Sequence, residues 1–254
     1  MHRALCALLI LLGCSPADAQ QADIPDTIQR VKRSVVAVGT YQAARNPRFV
    51  FRGTGFAVGA GTLVATNAHV IPATLDKEHQ EALVVAIPQA GADAQVRSAE
   101  LVASDPDYDL AVLRIAGAAL PVVRLGDSQR VREGDDCLFT GFPIGTVLGL
   151  FTATHRAMVS ALTPVALPTG NARELDARTV KRLSAGAYTV FQLDATAYPG
   201  NSGSPLYLVG SGEVVGIINM VFVKGTKEAA LSAPSGITYA IPVQPLVALL
   251  ERLK

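Results

Sequence analysis

The sequence predicts an all-β fold of two packed antiparallel β-barrels with a short helix near each end. Short apolar or alternating segments recur along the chain, separated by Gly, Pro, Asn and Asp, which is typical of strands and turns. These segments fall into two similar series, and two such halves favour two barrels over a single α/β sheet. The composition, 50% hydrophobic and 17% charged, fits an ordinary packed protein.

Each series contains six predicted strands. Those of the first are residues 35–39, 55–58, 62–66, 82–87, 100–104 and 110–115. Those of the second are residues 137–141, 152–162, 190–193, 205–208, 214–223 and 237–241. Between Thr163 and Thr189 lies a long polar stretch, and loops of this length are usually functional or mobile.

Helical spacing of apolar residues occurs at both ends of this pattern. Ile24, Ile28 and Val31 predict a short amphipathic docking helix, and the leucines of residues 246–253 predict a terminal helix on the second barrel. We therefore divide the chain into residues 1–19, a signal peptide; 20–124, with the first barrel; 125–243, the second barrel; and 244–254, the C-terminal helix.

The first twenty residues predict export to the periplasm or the exterior. A short basic start precedes an apolar run at residues 4–12 and an Ala-Asp-Ala cleavage pattern at 17–19. This run is shorter than the roughly 20 residues of a membrane-spanning helix, so we expect no transmembrane segment. In the alternative, Cys14 closes a lipobox-like Leu-Leu-Gly-Cys and carries a lipid anchor, which gives a membrane-anchored lipoprotein.

Cysteine content and charge exclude several classes of protein. Cleavage after Ala19 leaves only Cys137, so no intrachain disulfide is predicted and a buried structural thiol is its expected role. The net charge of +1, without runs of like charge, gives no basis for binding nucleic acid or an anionic membrane. The partner must therefore be sought in a site.

The segment Tyr-Pro-Gly-Asn-Ser-Gly-Ser-Pro at residues 198–205 carries the most specific chemical signal. A hydrolytic serine needs glycine neighbours, because its backbone turns sharply and two N–H groups must converge on the developing oxyanion. Ser202 is the candidate nucleophile, and the N–H groups of Gly200 and Ser202 are the candidate donors. Taken alone, such a turn is equally typical of a surface loop.

Two further residues have the types and places that a serine nucleophile requires. His69 directly follows a predicted strand and is a candidate base, although a packed histidine at a strand end has the same pattern. Asp109 lies where an acidic turn enters a buried strand, which would hold a carboxylate rigidly enough to orient a histidine. Asp105 and Asp107 fit turn formation better.

Together these segments resemble the trypsin-like serine proteases, and within them the bacterial HtrA/DegP-like peptidases. The matching segments follow the order of that family over about residues 28–243; they are 53–56, 66–70, 109–112, 125–128, 134–135, 141–145, 194–195, 200–203 and 236–242. The resemblance implies two six-stranded antiparallel β-barrels of the chymotrypsin/trypsin type, with the active site between them.

The resemblance also implies an activity and the residues that carry it. The expected protein is a serine endopeptidase that cleaves protein or peptide substrates through an acyl-enzyme, with a role in quality control of exported proteins. His69 is the general base and then acid, Asp109 fixes its tautomer, and Ser202 is the nucleophile. The N–H groups of Gly200 and Ser202 form the oxyanion hole. The prediction includes no metal and no cofactor.

Substrate preference follows from the same resemblance. By the spacing of the family, the base of the primary pocket falls at Thr196, and the other pocket residues are Ala197, Ile218, Asn219 and Met220. These positions contain no carboxylate that could pair with Arg or Lys. We therefore expect cleavage after small or medium aliphatic residues such as Val, Ala or Leu.

Three departures from the pattern of the family limit what the resemblance implies. Asn201 stands where digestive trypsin-like enzymes have Asp, so activation by insertion of a new N-terminus is not expected. Ser204 replaces a glycine but leaves both oxyanion donors in place. The sequence ends after the terminal helix, so a PDZ domain is not expected, and the oligomeric state is not predicted.

Two alternatives remain open at this stage. One is a pseudoprotease, a double-barrel binding or chaperone-like module in which the triad residues are present but never assembled. The other is a latent enzyme whose loops at residues 141–151 and 163–189 order only with a ligand or a misfolded substrate.

Overall fold

The computed structural model describes residues 23–89, 92–145, 149–164, 188–219 and 236–253. The predicted signal peptide, the lipidation site at Cys14, the pocket residue Met220 and most of the 163–189 loop lie outside the described residues.

The first closed barrel contains six antiparallel strands in the hydrogen-bonded order β1-β2-β3-β6-β5-β4. They are β1 (Val35–Tyr41), β2 (Phe49–Val58), β3 (Leu63–Asn67), β4 (Ala82–Gln89), β5 (Ala92–Asp105) and β6 (Leu110–Ile115). A single turn of 3₁₀ helix, Ala68–Val70, follows β3.

The second closed barrel repeats this order with β7-β8-β9-β12-β11-β10. Its strands are β7 (Asp136–Gly141), β8 (Ala153–Pro164), β9 (Thr189–Asp194), β10 (Pro205–Leu208), β11 (Val214–Asn219) and β12 (Ile237–Pro242). All six neighbouring pairs are antiparallel. The two six-stranded antiparallel barrels predicted from the sequence are confirmed.

Apolar side chains fill each barrel and also the space between them. Val38, Val85 and Leu113 pack inside the first barrel. A separate cluster inside the second includes Phe139 and Leu193. A third cluster joins the barrels and contains Phe56, Leu110, Tyr207 and Ile217, all fully buried. Because burial of each such side chain contributes about 1.5–3 kcal/mol, this third cluster fixes the barrels against each other.

Both predicted helices are present. Helix α1 (Ile24–Lys32) has Pro25 in its first turn, where a missing N–H costs nothing, and buries Val31. Helix α2 (Gln244–Glu251) buries Leu246 and Leu249. These side chains join the cluster between the barrels, so α2 packs at the junction and not on the second barrel alone.

No helix among the described residues is long and apolar enough to cross a membrane.

Candidate active site

His69 lies in the 3₁₀ turn that follows β3, with its side chain about one-third exposed. Its backbone N–H donates a hydrogen bond to Oδ1 of Asp109 over 2.8 Å, and its Nδ1 lies 2.6 Å from Oδ2 of the same carboxylate. A carboxylate can only accept, so Nδ1 carries the proton of the neutral ring, and Nε2 is left with a free lone pair. The imidazole is therefore held in the tautomer that a general base requires.

Asp109 stands at the entrance to β6 with a φ of +52°, a conformation that Asp tolerates better than most residues. Its backbone carbonyl accepts hydrogen bonds from the backbone N–H of Ala68 (3.0 Å) and from Nδ2 of the Asn67 side chain (3.1 Å). Its Oδ2 also accepts a hydrogen bond of 2.7 Å from Nδ2 of Asn219. The carboxylate is thus fixed by three donors, two from His69 and one from the second barrel.

Ser202 lies on the turn before β10 and is buried, with 5% of its surface exposed. Gly203 has a φ of +87°, and a methyl group in place of its hydrogen would overlap the carbonyl oxygen of Thr54. Its N–H donates to the carbonyl of Ile218 over 2.9 Å. Glycine is therefore required at position 203 both for the backbone angle and for the close approach of β2.

The two predicted oxyanion donors are unoccupied by other acceptors. Within the described ranges, neither the N–H of Gly200 nor that of Ser202 donates a hydrogen bond. The carbonyl groups on either side of Gly200 N–H are instead anchored, Pro199 by the N–H of Ile144 (2.8 Å) and Gly200 by the hydroxyl of Thr54 (2.7 Å). The turn thus leaves two N–H groups available to a negatively charged oxygen.

The segments that carry His69 and Ser202 come together at Gly53 of β2. A methyl group on Gly53 would lie 2.6 Å from a methyl carbon of Val70 and 3.0 Å from the carbonyl oxygen of Ser202. In the described part of the chain, no hydrogen bond joins the imidazole of His69 to the hydroxyl of Ser202. The structure therefore brings the two segments together and links His69 to Asp109 directly.

The predicted pocket residues fall into two groups. Ala197 and Ile218 are buried in the apolar cluster of the second barrel, and Thr196 is partly exposed beside them. Asn219 is fully buried and turns its amide to Asp109, a contact that the sequence did not indicate. Met220 lies outside the described residues.

Asn201 and Ser204, the two residues of the turn that depart from the pattern of the family, are fully buried. Their side-chain polar atoms have no hydrogen-bond partner among the described residues. A methyl group on Gly141 would overlap the hydroxyl of Ser204 and lie 2.9 Å from Oδ1 of Asn201, so only glycine fits at the end of β7.

The other described histidines have different surroundings. His79 pairs with Asp76 over 2.8 Å, but both side chains are exposed and lie only three residues apart. His155 stacks on Phe139 inside the second barrel, and burial lowers the pKa of its imidazole. Among the described histidines, His69 differs from the other two because its carboxylate partner, Asp109, is held by residues of both barrels.

Cys137 is fully buried, as predicted for a structural thiol. Burial, followed by the nearby carboxylates of Asp135 and Asp136, raises the pKa of this thiol to about 12. Because the thiolate is the nucleophilic form of cysteine, Cys137 is not a nucleophile at neutral pH. The described residues also contain no cluster of three His, Cys, Asp or Glu side chains that could hold a metal ion.

Comparison with known proteins is consistent with this geometry. A family profile described as a trypsin-like peptidase domain matches residues 53–217. Among curated relatives, proteins named probable periplasmic serine endoprotease DegP-like are 31% identical over 203 residues in Pseudomonas putida (strain GB-1) and 28% identical over 238 residues in Rickettsia conorii. These alignments cover 80% and 93% of this chain but 35% and 40% of the relatives, so the chain spans little more than a third of their length.

Solved structures give the same similarity. The HtrA-type protease AlgW with a tripeptide has a TM-score of 0.63 and 27% identity, and the alignment covers 90% of this chain and 62% of that one. Deg5 has a TM-score of 0.62 and 26% identity, with 88% of this chain and 90% of that one covered.

Proposed function

Because the chain belongs to the trypsin-like peptidase family, we propose that it is a serine endopeptidase whose triad consists of His69, Asp109 and Ser202. The observation that carries this proposal is the two-point contact of His69 with Asp109, through the backbone N–H at 2.8 Å and through Nδ1 at 2.6 Å. His79 makes the same two contacts with Asp76 on the exposed surface. His69 differs because its carboxylate partner also accepts a hydrogen bond from Nδ2 of Asn219 in the second barrel, which holds Asp109 and the imidazole in one fixed arrangement.

The proposed reaction begins with transfer of the Ser202 hydroxyl proton to Nε2 of His69. Ser202 Oγ attacks the carbonyl carbon of the scissile peptide bond, and the N–H groups of Gly200 and Ser202 stabilise the oxyanion. The C–N bond then breaks as the amine takes the proton from His69. Water, deprotonated by the same imidazole, attacks the acyl-enzyme, and Ser202 recovers its proton.

The absence of a hydrogen bond between His69 and Ser202 in the described residues is the one observation that favours a catalytically silent binding module. Catalytic hydrogen bonds in ligand-free sites are often long and tighten only when substrate binds. The free N–H groups of Gly200 and Ser202 and the fully engaged carboxylate of Asp109 have no evident purpose in such a module. Catalysis is therefore the better account.

The proposed substrates are proteins or peptides cut after small or medium aliphatic residues. Support comes from the neutral side chains at the predicted pocket, where Ala197 and Ile218 are apolar and buried. A pocket of this kind has no charged group that could pair with Arg or Lys. Either side chain would lose its hydration on binding there without gaining an ion pair. The DegP-like relatives are named periplasmic serine endoproteases, which supports the proposal of an exported peptidase; a role in quality control of exported proteins stays a prediction.

A peptide library tests both the activity and the preference. Incubation of the purified protein with unstructured peptides, followed by mass spectrometry of the products, should give cleavage after Val, Ala or Leu at least about tenfold more often than after Arg. One methylene mismatch in an apolar pocket already costs about 1–3 kcal/mol, and burial of an unpaired charge costs more. Ser202→Ala is the matched control and should give no products. Dominant cleavage after Arg or Lys would contradict the proposed pocket.

A further inference from the structure

Thr54 belongs to the Gly-Thr-Gly-Phe segment of β2, a segment that the proposed reaction does not use. It is fully buried and pairs with Ala37 inside the first barrel. Its polar atoms nevertheless contact the second barrel, at the turn that carries Ser202. A residue of one barrel thus supports the loop of the other.

Three hydrogen bonds make this connection. The backbone N–H of Thr54 donates to the carbonyl of Ser202 over 2.8 Å. Its hydroxyl donates to the carbonyl of Gly200 over 2.7 Å and accepts the N–H of Phe142 over 3.2 Å. Because the hydroxyl both donates and accepts, its rotation is fixed, and its hydrogen is directed at Gly200.

These contacts restrain Gly200, whose N–H is a proposed oxyanion donor. Gly200 has a φ of +105°, in a region open to glycine, so its own backbone imposes little restraint. The preceding peptide is held because Ile144 N–H donates to the carbonyl of Pro199 over 2.8 Å. A peptide is planar and trans, so a carbonyl fixed toward Ile144 sends the N–H of Gly200 the opposite way. Thr54 fixes the following peptide, so Gly200, whose own backbone is little restrained, is held between two anchored peptides.

We propose that Thr54 is a positioning residue for the oxyanion hole: its hydroxyl holds Gly200 so that the N–H faces the oxyanion. This inference rests on the proposed function of the site. Thr54 itself does not touch the substrate. It acts through Gly200, and its effect falls on the transition state, where the oxygen becomes negative, more than on the bound substrate.

The pair Thr54→Val and Thr54→Ser separates the hydroxyl from the shape of the side chain. Valine fills nearly the same volume without a hydroxyl, whereas serine keeps the hydroxyl. Since loss of one oxyanion donor costs about 10²–10³ in kcat, misdirection of one donor by Thr54→Val should lower kcat by about 10- to 100-fold with KM nearly unchanged. Thr54→Ser should recover most of the activity.

The inhibition constant of a peptide aldehyde distinguishes a positioning role of Thr54 from a merely structural one. Its hemiacetal with Ser202 places an oxygen in the oxyanion hole, so its inhibition constant should rise in Thr54→Val by about the same factor as kcat/KM falls. Thr54→Val that is folded by circular dichroism and keeps wild-type kcat and aldehyde affinity would overturn the proposal. An increase in KM alone would also overturn it.

Thr54→Val leaves the carbonyl of Gly200 and the N–H of Phe142 unpaired, and it could fail to fold for that reason. Thr54→Ala, with space for solvent at the same carbonyl, is then compared with Thr54→Ser. Equal kcat in these two variants rejects the inference, and a deficit confined to alanine supports it. A wild type without turnover rejects the proposed function as well, whereas an active wild type that is insensitive to Thr54 rejects only the inference.

Discussion

Replacement of Ser202 by alanine is expected to lower kcat by about 10⁴–10⁶ without unfolding the protein. Ser202 is nearly buried, and its side chain takes part in no hydrogen bond to another described residue, so loss of the hydroxyl removes chemistry and little packing. The backbone at position 202 stays the same in the variant. Its carbonyl still accepts the hydrogen bond from Thr54 N–H, and its own N–H stays free.

His69→Ala should cost a similar factor, and the double variant should be no worse than either single one. Residues that act as one unit are strongly non-additive, because the second loss removes nothing that the first has left functional. Hydrolysis of one peptide substrate by the two single variants and the double variant measures this. His79→Ala is the matched control, since the exposed pair of His79 with Asp76 lies outside the site. Additive losses at positions 69 and 202 would mean that the residues do not cooperate.

The second large effect is expected for Asp109→Asn, a loss of about 10⁴ in kcat. Oδ2 of Asp109 accepts from both Nδ1 of His69 and Nδ2 of Asn219. An amide has only one accepting oxygen, so its NH₂ group must face at least one of the donors that now surround the carboxylate. With the NH₂ group in the place of Oδ2, it faces Nδ1, and the ring of His69 is driven toward the tautomer protonated on Nε2, which cannot accept the proton of Ser202. With the NH₂ group in the place of Oδ1, it faces the backbone N–H of His69, and the two-point contact is lost.

Measurement of kcat and KM for Asp109→Asn checks this account, with Asp107→Asn as the control. Asp107 belongs to the preceding turn, in which Asp105 accepts its N–H over 3.1 Å, and the variant is expected to keep activity within about threefold, as surface substitutions usually do. If Asp109→Asn retained wild-type kcat, the carboxylate would not be the group that orients His69.

Much of this fold was predictable because the barrels bury one face of nearly every strand. The alternation of apolar residues placed twelve strands at positions where the structure has them. The extent of β5 was not predictable, since only half of residues 92–99 are polar, the side chains of 93–99 are exposed or partly buried without a clear alternation, and the segment pairs with β4 only in the closed barrel. β2 likewise begins at Phe49, six residues before the predicted strand at Gly55, because it pairs there with β1.

The site was predictable in its residue types and less so in its supporting contacts. The motifs predicted His69 and Asp109 as partners, and in the structure the two side chains are in contact, while their catalytic role stays a prediction. The partners of Thr54 and Asn219 were not accessible, because the hydroxyl of Thr54 meets a carbonyl 146 residues away and Asn219 meets a carboxylate 110 residues away. Such contacts depend on how the two barrels pack. The Gly-Thr-Gly-Phe segment was the one available signal for Thr54.

We propose that His69, Asp109 and Ser202 act as one assembled triad. A fluorophosphonate probe reacts with a serine only when a base activates it and an oxyanion hole receives the phosphoryl oxygen. Labelling of the purified protein, with the modified residue located by mass spectrometry, is expected at Ser202 in the wild type and should disappear in His69→Ala and Ser202→Ala. A folded wild type that takes up no probe, or labelling at Ser202 that persists in His69→Ala, would contradict the account.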